Sequence, residues 1–365
     1  MNILITGQNG FIAKNLAIYF KSHSNLNLFF INKKSSIKEL KKKISRCDVI
    51  INTAGTNRSK NKRSFNNNNV NFINKIVKLI TQTKDKKKFF IHTSTTKVKE
   101  KTVYGITKKK SEEILLKNKK NYKLFILRLP NVFGKWAKPN YNSFIATMCN
   151  NIILNKKTKY YDNIHEKLYF IYIDDLCSQI LYLIKKNKKT VFPKLKNLIK
   201  TNIYQIRNIL ERIHKNRDNL YTVNMSNKLE RCLHSTYLSH LPKKNFYYKF
   251  KKHVDLRGEF AELIKQNNNT QISFFTINPG QVRGGHYHLT KVEKFIPISG
   301  KGIIKMIDIN TNKKFSIRYD DKSNFILDTI PGWIHSVKNL GKKKSVILVW
   351  SNEIFNKKKP DTFIN

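Results

Sequence analysis

Two closely spaced histidines and a glutamate constrain the last third of this chain more tightly than any other feature. His286 and His288 form the only His-x-His pair in 365 residues, and Glu293 follows five positions later. Because residues i and i+2 of a strand point to the same face, both imidazoles can enter one cavity. His335, which follows a Pro-Gly turn, offers a fourth ligand. Imidazoles and a carboxylate suit a divalent transition ion such as zinc, so the pattern predicts a metal site.

The residues around this motif have the pattern of a small β-domain. From Phe260 onward, short alternating stretches are separated by turn residues, which predicts a β-barrel or a double-sheet jelly roll. The pattern changes after Arg257, and we place a boundary within Pro242–His253. The predicted domains are residues 1–245 and 250–365. The clearest predicted strands are Ser273–Ile277, Lys294–Ile298, Gly302–Asp308 and Ser345–Trp350.

The N-terminus has the strand–turn–helix order of a dinucleotide site. A strand at Asn2–Thr6 leads into the turn Gly7–Gly10, and a helix is predicted over Phe11–Lys21. Glycines at such a turn let the backbone approach a pyrophosphate, which then lies at the helix N-terminus. A glycine pair between the first strand and the first helix is therefore a dinucleotide signal. It predicts a Rossmann-type α/β fold with a doubly wound parallel sheet.

The following segments continue the alternation of strands and helices. The second strand, Leu28–Ile31, ends in a lysine-rich segment without Asp or Glu, so Lys33 favours the 2′-phosphate of NADP over the ribose hydroxyl of NAD. The third strand, Asp48–Asn52, ends at the small residues Ala54 and Gly55, which allow close passage of a cofactor. Further predicted elements are a helix at Val70–Thr83, a strand at Lys88–His92 and a helix at Ile203–Ile213.

Tyr104 and Lys108 form the pair most suited to proton transfer. Residues four apart share one helix face, so the Lys108 ammonium is expected to stabilise the Tyr104 phenolate and lower its pKa. Such a tyrosine can protonate a carbonyl oxygen as hydride arrives, with a nearby hydroxyl holding that oxygen. Four other tyrosines also have lysine four positions on. Tyr104 alone also follows a hydroxyl-rich strand end, Thr93–Thr96, and this context selects it.

The net charge of +49 would ordinarily indicate nucleic acid or an anionic membrane surface. However, 61 Lys against 11 Arg are spread along the whole chain, and Arg is the residue favoured for phosphate and base contacts. Compositional bias explains the charge better, although a positive field would attract a phosphorylated substrate. We find no signal peptide, no transmembrane-length apolar run and only four scattered cysteines, so we expect a cytoplasmic protein with no membrane or nucleic-acid partner.

The first two thirds of the chain resemble an extended short-chain dehydrogenase/reductase that acts on a nucleotide sugar. The family's T-G-x-x-G-F-I pattern appears at Thr6–Ile12, and its Y-x-x-x-K pattern appears at Tyr104–Lys108. The family's catalytic Ser/Thr position falls on Thr95, with Ser94 as the alternative. The resemblance therefore implies that Thr95, Tyr104 and Lys108 are catalytic.

Two later segments extend this resemblance. Arg128–Gly134 resembles the family's R-x-x-N-V-Y-G, which implies that Pro130 flanks the nicotinamide and that Arg128 and Asn131 bind the substrate. Residues 170–176, FIYIDDL, are similar to the family's Y-V-D-D-V/L, which helps close the substrate side, and we expect no direct chemistry from its aspartates. The cofactor-binding residues expected in all are Thr6, Gly7, Gly10, Phe11, Ile12, Lys33, Ala54, Gly55, Tyr104, Lys108 and Pro130.

The last third resembles a cupin. The first cupin motif, G-x5-H-x-H-x3,4-E-x6-G, is matched at every position from Gly280 to Gly300. The second motif, P-x-G-x2-H-x3-N, is matched at Gly332, His335 and Asn339 but has Ile330 in place of its proline. The expected fold class is therefore a Rossmann-type extended reductase followed by an all-β cupin, a double-stranded β-helix or jelly roll, with His286, His288, Glu293 and His335 as its metal ligands.

Together the two parts resemble the bifunctional UDP-sugar epimerase/reductases of capsule and O-antigen synthesis (CapF/WbjC type). That family implies a C3 epimerisation by the cupin, followed by NADPH-dependent reduction of the C4 ketone, on the route to UDP-N-acetyl-L-fucosamine. A metal can stabilise the enolate formed when C3 loses its proton. The C3 base stays open among His286, Tyr287, Lys291 and the metal ligands. The resemblance also implies a homodimer.

Two alternatives to this function remain. One is another NAD(P)-dependent nucleotide-sugar epimerase or dehydratase whose cupin is not catalytic. A dehydratase would need an acidic pair beside the catalytic hydroxyl, and Thr95 and Thr96 do not provide it. The other is a basic nucleic-acid-binding protein, which salt-dependent binding of random-sequence DNA would reveal.

Overall fold

The chain divides into two units in the computed structural model, which describes residues 1–23, 25–59, 61–83, 87–157, 163–186, 190–356 and 358–364. The first unit comprises Met1–Glu211 and Cys232–Leu241, and the second comprises Arg212–Arg231 and Pro242–Asn365. The second unit thus takes in the segment Arg212–Arg231, which the division drawn from the sequence leaves in the first domain.

A five-stranded parallel sheet forms the centre of the first unit. Its order is β2-β1-β3-β4-β5, and Thr6 pairs in register with both Ile31 and Asn52, so the carboxyl ends of three strands meet. The central strands β1 and β3 are buried along almost their whole length, as expected for a sheet that is covered on both faces. The strands are β1 (Asn2–Thr6), β2 (Asn27–Ile31), β3 (Val49–Asn52), β4 (Lys88–Thr95) and β5 (Tyr122–Leu129).

Helices cover both faces of this sheet. On one face, α1 and α7 bury Phe20 and Ile180, and on the other α2, α4 and α5 bury Ile44, Ile76 and Leu115. This arrangement confirms the predicted doubly wound α/β fold. The helices are α1 (Phe11–His23), α2 (Ile37–Arg46), α3 (Lys62–Phe65), α4 (Phe72–Thr81), α5 (Val103–Lys117), α6 (Phe144–Ile153), α7 (Ile173–Lys186), α8 (Ile203–Asp218) and α9 (Lys228–Leu238).

Several predicted boundaries are wrong. The helix predicted at Ile203–Ile213 is too short, because α8 continues to Asp218. The fourth strand runs three residues further than predicted, because Thr93–Thr95 stay paired with β5. The predicted helix at Val70–Thr83 begins earlier, since α3 continues through a π-helical segment, Asn66–Asn71, into α4. In this segment Asn69 accepts a hydrogen bond from Thr56 N and donates one to Thr56 O. These bonds hold the loop that follows β3 against the helix.

A smaller sheet completes the first unit. Strands β6 (Asn131–Phe133), β7 (Leu168–Tyr172) and β8 (Ile199–Thr201) lie in that order, with β6 and β7 parallel. Only Pro130 separates β5 from β6, and β6 places Asn131 opposite Phe170 of β7. Among the helices that the structure describes, none is long and apolar enough to cross a membrane.

Two antiparallel sheets form the second unit. Their orders are β16-β13-β18-β11-β10-β9 and β15-β14-β17-β12-β19. Phe275 and Phe295 from the first sheet and Ile304 and Val337 from the second form a shared core, which is the arrangement of a jelly roll. The all-β prediction is confirmed. The strands are β9 (His253–Asp255), β10 (Gly258–Lys265), β11 (Gln271–Ile277), β12 (Val282–Tyr287), β13 (Glu293–Ser299), β14 (Gly302–Asp308), β15 (Lys314–Tyr319), β16 (Leu327–Asp328), β17 (Trp333–Asn339), β18 (Ser345–Ser351) and β19 (Phe363–Ile364).

Candidate active site and metal centre

The glycine turn after β1 forms a cradle against the end of β3. Gly7 has a φ of +76°, and a Cβ built on it would lie 3.0 Å from both Cα and N of Ala54. Ala54 N in turn donates to Thr6 Oγ1 over 3.3 Å. In a parallel sheet of this strand order, ligands bind at the carboxyl ends of β1 and β3, where the strand order reverses. Helix α1 begins there at Phe11 and has no acidic residue in its first turn, so the cradle fits the pyrophosphate of a dinucleotide.

The other residues expected at the cofactor surround this cradle or lie beyond it. Gly55 packs so closely on the π-helical segment that an added Cβ would lie 3.0 Å from Asn69 Oδ1. Lys33 is exposed just after β2, and Ile12 lies in the first turn of α1. Pro130 lies between β5 and β6.

Tyr104 lies in the first turn of α5, beside the end of β4. Burial raises the pKa of the Tyr104 phenol, and a hydrogen bond with the Thr95 side chain acts to lower it. Ser94, the alternative hydroxyl, points elsewhere: its Oγ donates to Glu112 Oε1 over 2.5 Å. The structure therefore brings Thr95, and not Ser94, to the phenol.

The expected effect of Lys108 on Tyr104 is wrong for this structure. Lys108 is buried, and its Nζ donates to Thr93 O over 2.6 Å and lies 3.2 Å from His92 Nε2. The amino group of Lys108 thus bonds the end of β4. Burial is the largest influence on the pKa of Tyr104 and raises it. Burial also lowers the pKa of Lys108 to about 8, while the charge of Glu112 acts to raise it.

Arg128 and Asn131, the expected substrate ligands, have partners within the first unit. Arg128 Nη2 donates to Glu112 Oε2 over 2.7 Å, and its guanidinium lies 4.7 Å from the centre of the Phe192 ring. Asn131 Nδ2 donates to Tyr169 O over 3.4 Å. The buried Glu112 carboxylate thus engages the Arg128 guanidinium, and substrate binding by either residue stays a prediction.

Three of the four predicted metal ligands form a tight cluster in the second unit. The ligand nitrogens of His286, His288 and His335 all lie within 4.8 Å of one another. Strand pairing sets this geometry, because β12 and β17 place His286 opposite His335. The register shifts between Gly284 and His286, and Gly284 packs so closely that an added Cβ would lie 2.4 Å from His335 O. Such a bulge re-aims the side chains next to it.

Backbone contacts orient two of these imidazoles. Nδ1 of His288 bonds the carbonyl oxygen of Asp361, and Nδ1 of His335 lies 3.3 Å from Trp333 O. Each Nε2 therefore points into the cluster, and both are buried without a hydrogen-bond partner among the described residues. Buried bare nitrogens held by outer hydrogen bonds are the usual donor set of a histidine metal site. Burial lowers the pKa of His335 to about 4, so its imidazole is neutral, as a ligand must be.

Glu293 completes the predicted ligand set. Its Oε2 lies 3.5 Å from His288 Nε2 and 3.7 Å from His335 Nε2. Its Oε1 lies 2.8 Å from Lys291 Nζ. Burial acts to raise the pKa of Glu293, but His288 and Lys291 oppose it and hold the pKa at about 2, so the group is a carboxylate. Three imidazoles and a carboxylate fit a divalent ion such as zinc.

Asp361 holds the loop beside the metal cluster, and no sequence pattern indicated it. Its carboxylate accepts hydrogen bonds from the backbone nitrogens of Leu289, Thr290 and Lys291 over 3.0, 2.7 and 2.7 Å. Its own carbonyl oxygen bonds His288. The C-terminal segment therefore fixes both a predicted metal ligand and the loop that carries Lys291.

Comparison with known proteins assigns both units to described families. Residues 3–198 match the NAD dependent epimerase/dehydratase family, and residues 253–363 match the polysaccharide biosynthesis C-terminal domain. The chain belongs to the NAD dependent epimerase/dehydratase family. Within this family the resemblance predicted from the motifs, to the CapF type with its second domain, is confirmed over the full length.

Two similar proteins match the whole chain, and a third shares the fold of the first unit. A Pseudomonas aeruginosa protein, named UDP-2-acetamido-2,6-beta-L-arabino-hexul-4-ose reductase, is 34% identical over 373 residues, which is 100% of this chain and 98% of the relative. The crystal structure of the capsular polysaccharide assembling protein CapF from Staphylococcus aureus matches with a TM-score of 0.93 at 32% identity, covering 100% of this chain and 99% of that one. A Bacillus cereus UDP-glucuronic acid 4-epimerase shares the fold of the first unit, with a TM-score of 0.58 at 18% identity over 68% of this chain and 100% of that one.

Proposed function

We propose that the chain is a bifunctional nucleotide-sugar enzyme of capsule or O-antigen synthesis. The second unit epimerises C3 of UDP-2-acetamido-2,6-dideoxy-beta-L-arabino-4-hexulose, and the first unit reduces the C4 ketone with NADPH to give UDP-2-acetamido-2,6-dideoxy-L-talose. The full-length similarity to the Pseudomonas reductase, at 34% identity, is the observation that carries this proposal. This similarity extends over both Thr95 and Tyr104 in the first unit and the histidine cluster in the second.

In the proposed reduction, Tyr104 is the proton donor. NADPH, when bound, supplies the hydride. The raised pKa of Tyr104 keeps the phenol protonated at neutral pH, which is the state that a proton donor to a developing alkoxide needs. The Thr95 hydroxyl, which interacts with the phenol, holds the same oxygen. The ion pair between Glu112 of α5 and Arg128 of β5 holds the helix to the sheet, which keeps Tyr104 beside the end of β4.

In the proposed epimerisation, the histidine cluster and Glu293 hold a divalent metal, which we assign as zinc. The ion, when bound, supplies stabilisation for negative charge that develops on the sugar oxygen next to C3. The base that removes the C3 proton stays open among His286, Tyr287, Lys291 and the metal ligands. Lys291 is paired with Glu293, and the Tyr287 ring lies 5.5 Å from that of Phe363.

The remaining parts of the proposal concern cofactor choice and assembly. Lys33 follows β2 where NAD-specific sites carry an acidic residue, which supports NADPH. We further propose a cytoplasmic homodimer whose partner molecule is the UDP-sugar, and neither nucleic acid nor a membrane. Oxidation of NADPH by the 4-keto UDP-sugar, compared with oxidation of NADH, tests the cofactor assignment. Faster use of NADH would overturn it.

Paired substitutions at Thr95 and Ser94 test the reductase site. Thr95→Ala should lower kcat for NADPH oxidation by about 10²–10³-fold, because the developing oxyanion loses a hydrogen-bond donor. Ser94→Ala should leave kcat nearly unchanged but lower the free energy of unfolding by about 1–3 kcal/mol, because buried Glu112 loses a donor. Steady-state kinetics and urea unfolding measure the two effects. If Ser94→Ala causes the larger loss of kcat, the assignment of Thr95 is wrong.

Substitution of Asp361 tests the support of the metal centre. Asp361→Ala removes the acceptor for three backbone nitrogens of the loop after His288, so zinc affinity should fall by about 10–100-fold. Competition with a chromogenic chelator measures this affinity. Asp328→Asn is the matched control, since Asp328 is an exposed acid of the same unit that pairs with Lys294. Equal zinc affinity in wild type and Asp361→Ala would contradict this role.

A further inference from the structure

A buried chain of hydrogen bonds joins the glycine turn to Lys108 through His92. Thr6 Oγ1 lies 2.6 Å from Asn52 Oδ1, and Asn52 Nδ2 lies 3.0 Å from His92 Nδ1. On the other side of the ring, His92 Nε2 lies 3.2 Å from Lys108 Nζ, which also donates to Thr93 O. His92 is 1% exposed and Lys108 is 4% exposed, so the protein encloses both side chains. The surrounding donors and acceptors of the protein therefore indicate where the protons of these groups lie.

The orientation of the Asn52 amide follows from its two neighbours. Thr6 Oγ1 accepts a hydrogen bond from Ala54 N, so it uses its own proton toward Asn52 Oδ1. Asn52 Nδ2 lies 3.5 Å from Ala54 O, a position where an amide oxygen would face another oxygen. Both contacts require that Asn52 presents its NH₂ group, and not its oxygen, to His92.

This orientation fixes the tautomer of His92. Nδ1 must accept from Asn52, so the single proton of the neutral imidazole lies on Nε2. Burial holds the pKa of His92 well below its usual range, which disfavours the doubly protonated ring. The Nε2 proton then points at Lys108 Nζ. An ammonium has three donors and no acceptor, so only the neutral amine can receive this proton.

We propose that His92 is a positioning residue for Lys108: as the Nε2–H tautomer it donates to the lysine nitrogen and stabilises the neutral amine. The inference rests on the proposed function only where it gives Lys108 a part in reduction. When Lys108 is protonated, its N–H groups and the Nε2–H group of His92 are donors that face each other. The ammonium is therefore accommodated only if the proton of His92 moves to Nδ1 and the Asn52 amide turns its oxygen toward the ring. The charge of Lys108 is thereby linked to the turn that begins at Thr6.

The other groups that face Lys108 do not account for a neutral amine. Glu112, one turn further along α5, acts to raise the pKa of Lys108, and it is itself paired with Arg128 from β5. Tyr104, one turn earlier on α5, is protonated and uncharged at neutral pH. Burial lowers the pKa of Lys108 to about 8, and His92 adds a donor that favours the same neutral form.

The tautomer of His92 can be measured in the full-length protein. Long-range ¹H–¹⁵N spectra of protein labelled at histidine, which has ten histidines, identify His92 by the signal that disappears in His92→Leu or His92→Gln. At a pH of about 9, above the pKa of about 8 for Lys108, we expect a neutral ring with its proton on Nε2. A proton on Nδ1, or a doubly protonated ring, would overturn the inference.

The link to Lys108 is tested by its titration. In protein labelled at the lysine Cε, Lys108 is the resonance that titrates well below the others and is absent from Lys108→Met. His92→Leu should raise its midpoint by about one pH unit, because one hydrogen bond to the neutral amine is lost. The control is His240→Leu, which replaces a partly buried histidine whose pKa is also lowered by burial, and it should leave the midpoint unchanged. An unchanged or lower midpoint in His92→Leu would refute the role of His92.

The pH profile of NADPH oxidation separates this inference from the proposed function. If Lys108 acts in reduction, the profile should move together with the titration of Lys108 in His92→Leu. A titration that moves while the profile stays would remove Lys108 from the reduction and support the role of His92 all the same. A complete lack of NADPH oxidation in the wild type would reject the proposed function, and the two NMR measurements would still decide the inference.

Discussion

Tyr104→Phe should lower kcat for NADPH oxidation by about 10²–10⁴-fold while C3 proton exchange continues at the wild-type rate. In the proposed reduction the Tyr104 phenol is the proton donor, and phenylalanine keeps the ring at the start of α5 but cannot donate. In the proposed epimerisation, exchange at C3 depends on the histidine cluster of the other unit, which this change does not alter. Stopped-flow absorbance follows NADPH, and NMR in deuterated water follows the exchange.

A matched tyrosine provides the control for this prediction. Tyr182 lies in α7 of the same unit and also has a lysine four positions on, but it is 41% exposed. Tyr182→Phe should leave both activities unchanged. If Tyr104→Phe also abolishes exchange at C3, the division of labour between the two units is wrong.

His288→Ala should remove the metal and the exchange together. One of two buried Nε2 atoms that point into the cluster is lost, so zinc affinity should fall by more than the about 10–100-fold that is typical of outer-shell changes. Exchange of the C3 proton should fall in proportion to the zinc content, because the developing enolate loses its stabilising charge. Inductively coupled plasma mass spectrometry gives the metal content of the same samples that are used for exchange.

The control for the metal site is another histidine of the second unit. His253 lies in the edge strand β9 and is exposed, away from the cluster of three imidazoles, so His253→Ala should retain both zinc and exchange. Full exchange in His288→Ala that is demonstrably free of metal would contradict a metal-assisted epimerisation.

The two folds and the histidine cluster could be predicted because their signals are local in sequence. The glycine turn after β1 and the His-x-His pair are each contained within a few residues. Because residues i and i+2 of a strand point to the same face, the His-x-His pair by itself predicts that both imidazoles enter one cavity. His335 was predictable from a Pro-Gly turn, although only the pairing of β12 with β17 shows that it faces His286.

Other features depend on burial and on contacts between distant segments, which a linear pattern does not contain. Helix spacing predicted that Lys108 would lower the pKa of Tyr104, but the lysine is turned toward Thr93 and His92, and burial raises the pKa instead. Asp361 bonds a loop 70 to 72 positions earlier in the chain. The one available signal for His92 was a histidine within the otherwise apolar and hydroxyl-rich strand β4.

The π-helical segment shows the same limit at a smaller scale. Its asparagine run, Asn66–Asn69, favours turns over helices in sequence, because asparagine side chains compete for backbone hydrogen bonds. In the structure, the Asn69 side chain does not compete for the hydrogen bonds of its own helix, because it bonds the backbone of Thr56 and donates to Thr107 on α5. The helix therefore continues through a segment that propensity alone would end.

One reaction tests the central proposal most directly. The full-length enzyme is incubated in deuterated water with UDP-2-acetamido-2,6-dideoxy-beta-L-arabino-4-hexulose and NADPH, and NMR identifies the product. We expect the talose derivative, with inverted C3 that carries deuterium and with a newly formed hydroxyl at C4. A C4 alcohol that retains the original C3 configuration and its proton would contradict the proposed epimerisation, and an unreduced ketone would contradict the proposed reduction.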